Sequence, residues 1–199
     1  MEQSRDKRME YKHNLYVMRH FGTKENSNGV FMGQRDCAIN TNAAFNVKIP
    51  DSFTYNKKIK LFCSPLRRAV QSASILMKNY PFIDWDLEVM DFLKERSLGE
   101  FEGKYKCLLN GNREYFDEMK RLDLKTTPPG GESFDEFRSR VLQVIPVIEC
   151  ALIENDVLLV THLQVIRTIE TYYFDRDLSQ WYSIFYSMGE IVRLDNEKS

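Results

Sequence analysis

Two of the three histidines in this chain stand just after short apolar runs, and arginines stand just after two such runs. His20 follows Arg19, His162 follows a second run, and Arg68 comes shortly after a third. The planar fork of an arginine matches the oxygens of a phosphate group. A neutral imidazole can attack phosphorus and form a covalent intermediate. These residue types together indicate a site for a phosphoryl group, whose leaving oxygen also needs a nearby carboxylic acid as proton donor.

The elements that would position these side chains alternate between strand and helix. Three short runs rich in β-formers predict strands, namely Leu15–Met18, Ile59–Cys63 and Val157–Val160. Amphipathic patterns predict helices over Arg67–Asn79, Arg113–Leu122, the long stretch opened by the capping box Ser133–Glu136, and Gln164–Phe174. This alternation favours an α/β fold with a mostly parallel central sheet covered on both faces, a three-layer sandwich. Ligands of such sheets bind at the carboxyl ends of the strands, so we expect the histidines and arginines to meet at that edge.

Two further patterns refine the prediction. Pro146 should kink the long helix or end its first part, because proline lacks the N–H that a helix interior requires. A late pair of short runs, around Ser183–Tyr186 and Ile191–Leu194, predicts two more strands that close the sheet or form its edge.

The composition predicts one domain over residues 1–199, with flexible tails at 1–12 and 196–199, because the chain has no linker and no repeat. A net charge of −1 gives no sign of a nucleic-acid partner. No segment has the apolar length of a membrane span or the pattern of a signal peptide. The four cysteines are far apart, which favours reduced thiols in a cytoplasmic protein. The oligomeric state is open: the aromatic-rich segment 172–185 is either core or the face of a homodimer.

Several motifs resemble those of the histidine phosphatase superfamily, which includes cofactor-dependent phosphoglycerate mutase. The run from Leu15 to His20, continuing to Asn26, is similar to the family's first motif. The other similar segments follow in the family's order: Gly29–Asp36, Ser64–Ala69, Leu93–Gly103, Pro129–Ser133 and Val157–His162. The resemblance implies a phosphoglycerate mutase-like fold.

The resemblance also implies the catalytic roles. His20 is the nucleophile, Glu95 is the general acid, and His162 is the second histidine that contacts the phosphate. Glu100 and Glu102 are competitors for the acid role. By resemblance the reaction needs no metal and no organic cofactor, and the chain lacks the HExxH or CxxC spacing typical of a zinc site.

Phosphate binding is implied for a wider set of side chains. Arg19 and Arg68 are expected to hold the phosphoryl oxygens together with His162, while Asn26 and Thr23 stand at the rim. Arg96 is either a second substrate contact or the partner of a salt bridge.

The chain departs from the family pattern directly after each histidine, where glycine is usual and this sequence has Phe21 and Leu163. Glycine at such a place often permits a close approach of backbone to ligand. Phe21 would either narrow the pocket or shift the carbonyl that orients the nucleophile's other nitrogen.

Three functions remain open. The first is a phosphomonoester hydrolase that acts on a small phosphorylated metabolite through a phosphohistidine. It is favoured because the segment between Gly103 and Pro128 is shorter than the mutase insertion that excludes water, and Glu100–Gly103 is similar to small phosphatases such as α-ribazole phosphatase. The second is a phosphoglycerate mutase-type phosphotransferase, and the third a catalytically weakened phosphate-binding domain. The pocket walls are expected from segments 27–47 and 100–130.

Overall fold

A computed structural model describes residues 12–41, 47–53, 58–105, 124 and 126–194 of the chain. Its centre is a five-stranded sheet in the order β3-β2-β4-β1-β5. The strands are parallel except for β5, which pairs antiparallel with β1. Their bounds are β1 Leu15–Arg19, β2 Lys58–Cys63, β3 Asp84–Val89, β4 Asp156–Thr161 and β5 Ile191–Arg193. The predicted α/β fold with a mostly parallel sheet is confirmed.

Helices cover both faces of this sheet. They are α1 Lys24–Ser27, α2 Arg67–Asn79, α3 Phe134–Leu142, α4 Ile145–Ala151 and α5 Leu163–Tyr173. Leu15 and Val17 of β1 pack in one core cluster with α3, α4 and α5. Tyr16 and Met18 point to the other face and pack in a second cluster with α2. Because side chains alternate along a strand, the central strands are buried on both sides, which explains their continuous apolar runs.

Proline sets the break between α3 and α4. The first of these helices begins with the predicted capping box, in which the Ser133 hydroxyl accepts from the Glu136 amide at 3.2 Å and the Glu136 carboxylate accepts from the Ser133 amide at 2.8 Å. It ends at Leu142, and the next helix starts at Ile145 with Pro146 in its first turn. Proline is tolerated there because the first-turn N–H groups have no partner within the helix.

The sequence analysis did not identify strand β3. Its residues alternate between charged and apolar types instead of forming an apolar run, as is typical of a half-exposed strand. The strand lies at the edge of the sheet, where Lys60 of β2 contacts Asp86 at 3.3 Å and Glu88 at 2.9 Å.

The predicted strand around Ser183–Tyr186 is wrong. This segment lies beside the end of β1, and Met188 forms an isolated bridge with Arg19. Its carbonyl groups accept hydrogen bonds from arginine side chains instead of from a neighbouring strand: Tyr186 from Arg19, and Ile184 and Tyr182 from Arg167. The second strand of that pair, around Ile191–Leu194, is present as β5.

Some predictions fall outside the described residues. The helix over Arg113–Leu122 and most of the segment between Gly103 and Pro128 are among them, as are both predicted tails except Lys12. In the ranges that the structure does describe, no helix is long and apolar enough to span a bilayer.

Candidate active site

The strand ladders bring three sequence segments together at one edge of the sheet. Arg19 pairs in register with Thr161, and the amide of His20 donates to the carbonyl of Thr161 at 2.9 Å. On the other side of β4, the amide of Ser64 donates to the carbonyl of Val160 at 3.0 Å. The residues that follow β1, β2 and β4 are therefore fixed relative to each other by backbone hydrogen bonds.

The two histidines face each other at this edge, with ring centroids 5.2 Å apart. His20 is 2 % exposed, and its Nδ1 lies 2.6 Å from the carbonyl oxygen of Phe21. A carbonyl only accepts, so Nδ1 carries the proton and donates it. Burial, followed by the positive charge of Arg68, lowers the pKa of His20 to about 3. The ring is therefore neutral near pH 7, with the lone pair on Nε2 available for attack on phosphorus.

His162 is fully buried and is held by a serine that the sequence analysis quoted only as part of a motif. Its Nε2 lies 2.8 Å from the hydroxyl of Ser64, which also accepts from the amide of Leu66 at 3.3 Å. Its Nδ1 is buried without a hydrogen-bond partner among the described residues. Burial and then the charge of Arg68 lower the pKa of His162 well below its usual value, so this ring is neutral too.

The guanidinium groups of Arg68, which is fully buried, and Arg19, which is half-buried, complete this part of the site. Arg19 donates through Nη1 to the carbonyl of Tyr186 at 3.2 Å, and Arg68 donates to the carbonyls of Gly33 at 2.7 Å and Arg35 at 2.8 Å. In the described part of the chain, the Nε of each arginine lacks a partner. Burial lowers the pKa of both, and the charge of Arg68 lowers that of Arg19 further. An anion placed between them would satisfy the free donors and relieve the repulsion.

The loop that holds Arg68 requires glycine at one position. Gly33 has a φ of +48°, and a Cβ there would collide with the carboxylate of Glu102 and approach the amide nitrogen of Leu98 to 2.9 Å. Because only glycine tolerates both the left-handed backbone and the close contact, the carbonyl of Gly33 can turn toward Arg68.

Glu95 supplies the negative charge of the site. Its Oε1 accepts from the amide of Arg96 at 3.0 Å, and it also accepts from the amide of Gln164 at the start of α5. Burial raises the pKa of Glu95, although these amides and the charges of Arg68 and Arg19 act in the opposite direction. A carboxyl group with a raised pKa beside two arginines is suited to donate a proton to a leaving oxygen.

Thr23 and Asn26, the two residues expected at the rim of the phosphate site, lie directly after His20 at the start of α1. These two residues form the capping box of α1: the Thr23 hydroxyl accepts from the Asn26 amide at 3.1 Å, and the Asn26 side-chain oxygen accepts from the Thr23 amide at 3.1 Å. Thr23 is fully buried and Asn26 half-buried. Their visible role is to fix the backbone directly after His20.

Arg96 is also turned to backbone. Its side chain is fully buried and donates from Nε to the carbonyl of Glu132 at 3.0 Å and from Nη2 to that of Thr126 at 3.1 Å. Both of these acceptors are main-chain carbonyls, and the two readings from the sequence, a substrate contact or a salt bridge, stay predictions.

The two departures from glycine are accommodated in different ways. The ring of Phe21 is 6 % exposed and lies in the core cluster of α2, against Gly189. Its carbonyl is the group that accepts from His20. Leu163 is the first residue of α5 and packs against the opposite core cluster. The ring of Phe21 therefore fills core space, while its main-chain carbonyl still accepts the hydrogen bond from Nδ1 of His20.

Arg167 is a fourth arginine that sequence reasoning missed. The charge of Arg167 interacts with those of Glu95 and Arg19. Burial lowers the pKa of Arg167, the charge of Glu95 raises it, and the charge of Arg19 lowers it. The side chain donates to the carbonyls of Ile184 at 2.7 Å and Tyr182 at 3.2 Å and lies over the ring of Trp181 at 4.9 Å. The helical pattern could have indicated Arg167, because this residue stands one turn after Leu163 and lies on a predicted helix.

Among the residues that the structure describes, no group of three or more His, Cys, Asp or Glu side chains is arranged to hold a metal ion.

Comparison with known proteins agrees with this geometry. Residues 15–199 match the sequence model of the histidine phosphatase superfamily, branch 1. A Hydrogenobacter thermophilus protein provisionally assigned as phosphoserine phosphatase 2 is 25% identical over 189 residues, 93% of this chain and 91% of that protein. The metal-independent phosphoserine phosphatase of Arabidopsis thaliana is 28% identical over 162 residues, which cover 78% of this chain and 66% of that protein.

Solved structures show the same fold. The α-ribazole phosphatase of Shigella flexneri superposes with a TM-score of 0.73 at 18% identity, covering 89% of this chain and 88% of that one. With the motif residues gathered at one sheet edge and the family match spanning nearly the whole sequence, the chain belongs to branch 1 of the histidine phosphatase superfamily.

Proposed function

We propose that this chain is a phosphomonoester hydrolase that works through a phosphohistidine on Nε2 of His20. The observation that carries the proposal is the fixed tautomer of His20. Its Nδ1 proton is committed to the carbonyl of Phe21 at 2.6 Å, and the ring is kept neutral in a pocket with two incompletely bonded arginines.

In the first step, the Nε2 lone pair of His20 attacks phosphorus and the bond from phosphorus to the ester oxygen breaks. Glu95 gives its proton to that oxygen, so the alcohol leaves as a neutral molecule. In this proposal Arg19, Arg68 and Nδ1 of His162 hold the phosphoryl oxygens, whose charge must be stabilised during transfer; the role is supported by the buried Nε of each arginine and by Nδ1 of His162, which lack hydrogen-bond partners among the described residues.

In the second step, water attacks the phosphohistidine. Glu95, now a carboxylate, takes a proton from that water, the bond between phosphorus and nitrogen breaks, and inorganic phosphate leaves. The site then has its starting protonation again, so no external acid or base is consumed.

We infer a small phosphomonoester as the substrate class. The two imidazoles are buried, so only the phosphoryl end of a substrate is expected to contact them. Two similar proteins carry phosphoserine phosphatase in their names, which makes phosphoserine the first compound to test. Sugar phosphates, phosphoglycerates and nucleotides complete the panel.

The test measures free phosphate from this panel and from an aryl phosphate, in buffer with a chelator. We expect His20→Ala to lose on the order of 10⁴-fold or more of kcat, because no other group can accept the phosphoryl group. His13→Ala is the matched control, since His13 lies at the opposite end of the sheet, 3.4 Å from Asp156 at the start of β4. Quenching in alkaline denaturant, in which the phosphorus–nitrogen bond of a phosphohistidine survives, followed by mass spectrometry should find phosphate on the wild-type chain and not on His20→Ala.

Other outcomes would select the alternatives. Transfer of phosphate between positions of phosphoglycerate, at rates far above phosphate release, would indicate a mutase. Binding of inorganic phosphate without turnover of any compound would indicate a phosphate-binding domain. Activity that survives in His20→Ala would remove the proposed nucleophile from the mechanism.

A further inference from the structure

The loop that carries Glu95 is held by hydrogen bonds from side chains, although it has little regular secondary structure. Residues 90–98 contain only one short 3₁₀ turn, Asp91–Leu93. The carbonyls of Phe92, Leu93, Lys94 and Glu95 nevertheless all accept hydrogen bonds, and in each case from a side chain. The loop is thus held in place by side chains from other elements, and their identity decides where the Glu95 carboxyl group lies.

Arg140 on α3 makes most of these bonds. Its Nη1 donates to the carbonyls of Phe92 and Lys94, both at 3.0 Å, and its Nη2 donates to that of Glu95 at 3.2 Å. The contacts begin three residues before the acid and end on the acid's own carbonyl. Arg140 therefore fixes the backbone that leads into Glu95.

Glu132 fixes the orientation of Arg140 in turn. Its Oε1 accepts from Nε of Arg140 at 2.7 Å and its Oε2 from Nη2 at 2.8 Å, the bidentate geometry of an arginine–carboxylate pair. The same Oε2 accepts from the amide of Ser97 at 2.8 Å, on the other side of Glu95. The pair therefore clamps the loop both before and after the acid.

The five N–H groups of Arg140 are matched by five acceptors: three carbonyls and two carboxylate oxygens. Lysine has the same charge but only three donors at one point, so it cannot make this set of bonds. The arrangement requires arginine for its shape.

We propose that Arg140, oriented by Glu132, is the positioning residue of the general acid, and that it controls proton donation by Glu95 without contacting the substrate. This inference rests on the proposed function, in which Glu95 protonates the leaving oxygen. It predicts an effect selective for leaving groups, because an aryl oxygen leaves without a proton and an alkyl oxygen does not.

The experiment compares Arg140→Lys with wild type on an aryl phosphate and on the best alkyl phosphate of the panel. We expect kcat on the alkyl phosphate to fall about 10- to 100-fold, the usual result of displacing a group by roughly 1 Å or losing its outer support. On the aryl phosphate the change should stay within about threefold. Arg138→Lys is the matched control, because Arg138 is exposed on the same helix.

A double-mutant cycle tests whether Arg140 acts through Glu95. In the Glu95→Gln background, Arg140→Lys should change alkyl turnover by no more than about twofold, since no proton donor is left to misplace. The ratio of alkyl to aryl rates is unaffected by a smaller folded fraction, so partial unfolding cannot imitate the result. If Arg140→Lys does not fold, Glu132→Gln keeps the side-chain volume and should show the same selective loss at smaller size.

Equal losses on both substrates, or a full additional loss in the Glu95→Gln background, would overturn the positioning role alone. If Glu95→Gln itself shows no selectivity for alkyl phosphates, the acid assignment in the proposed function fails, and the inference fails with it.

Discussion

The proposed phosphate-binding part of the site and the loop of the proposed general acid are built by different means. His20, Ser64 and His162 each follow a strand, and backbone hydrogen bonds of the β1, β2 and β4 ladders set their relative positions. Glu95 lies on an irregular loop whose carbonyls are held by arginine, threonine and glutamine side chains. One half of the chemistry is therefore positioned by the fold, and the other half by individual side chains.

The difference has a mechanical reason. Attack on phosphorus needs the nucleophile, the second histidine and the guanidinium groups in fixed mutual geometry, and parallel strands give this through their register. The acid must reach an oxygen whose place depends on the substrate. A loop can place a carboxyl group there. Because a loop lacks the hydrogen bonds between strands, its backbone must be held by hydrogen bonds from other elements.

The sharpest way to break the phosphate-binding half is to remove Arg68. We expect Arg68→Gln to lower kcat/KM on the order of 10²- to 10³-fold, because one buried donor of charge stabilisation is lost. The loss should be similar for aryl and alkyl phosphates, since both transfer the same phosphoryl group. Kinetics on the two substrates, with inhibition by inorganic phosphate as a binding readout, measure it.

Arg67→Gln is the control for that experiment, because Arg67 is the neighbouring residue of α2 and its side chain is exposed. It should retain activity within about twofold, as surface substitutions usually do. A loss in Arg68→Gln that is confined to alkyl phosphates would place this arginine with the acid and abolish the distinction between the two halves.

The acid half is tested by Glu95→Gln. Turnover of an alkyl phosphate should fall on the order of 10²-fold, whereas an aryl phosphate should lose only a few-fold. Burial raises the pKa of Glu95, and the group donates only while protonated. The wild-type alkyl rate should therefore decline as the pH rises through that pKa, and the decline should be missing in the variant, as a pH series would measure.

The same decline in Glu95→Gln as in wild type would assign the titration to another group. Equal losses on aryl and alkyl phosphates would move the acid role elsewhere, to Glu100 or Glu102. The carboxylate of Glu102 is already engaged, since it accepts from the amides of Gln34 and Leu98, both at 2.9 Å.

The same contrast explains which features could be predicted from the sequence. The strands β1, β2 and β4 are apolar on both faces, so their runs stand out, and the rule that ligands gather at the carboxyl ends then places His20 and His162 together. Strand β3 was missed because one side of it is exposed and charged. The segment around Ser183–Tyr186 has the composition of a strand, but its carbonyls accept hydrogen bonds from the side chains of Arg19 and Arg167.

The contacts of the arginines could not be predicted in the same way. Arg96 and Arg140 are both buried or half-buried on main-chain carbonyls that are distant in sequence, with separations such as 36 and 48 residues. No local sequence pattern indicates which side chain will bond to the carbonyls of an irregular loop, because the two come together only when the fold is complete. The motif resemblance that predicts the acid role of Glu95 contains no signal for the residues that hold its loop.

A last and smaller effect tests whether the rings of His20 and His162 are as buried as the structure shows. The pKa of His20 is lowered to about 3 and that of His162 is lowered in the same direction, while both are near 6.5 in an unfolded chain. Their contribution to stability is complete above pH 6.5. This contribution is lost as the pH falls below that value, because the two histidines bind protons in the unfolded state and stay neutral in the folded state.

Each buried histidine should therefore lower the free energy of unfolding by about 1.4 kcal/mol for every pH unit between roughly 6 and 4. His20→Asn removes one of the two, so the difference in unfolding free energy between wild type and variant should change by about that amount per pH unit. Urea titrations at several pH values measure it, and Glu95, whose raised pKa has the opposite sign of effect, is present in both proteins. Parallel pH dependences would mean that water reaches the His20 ring and that its neutrality is not imposed by burial.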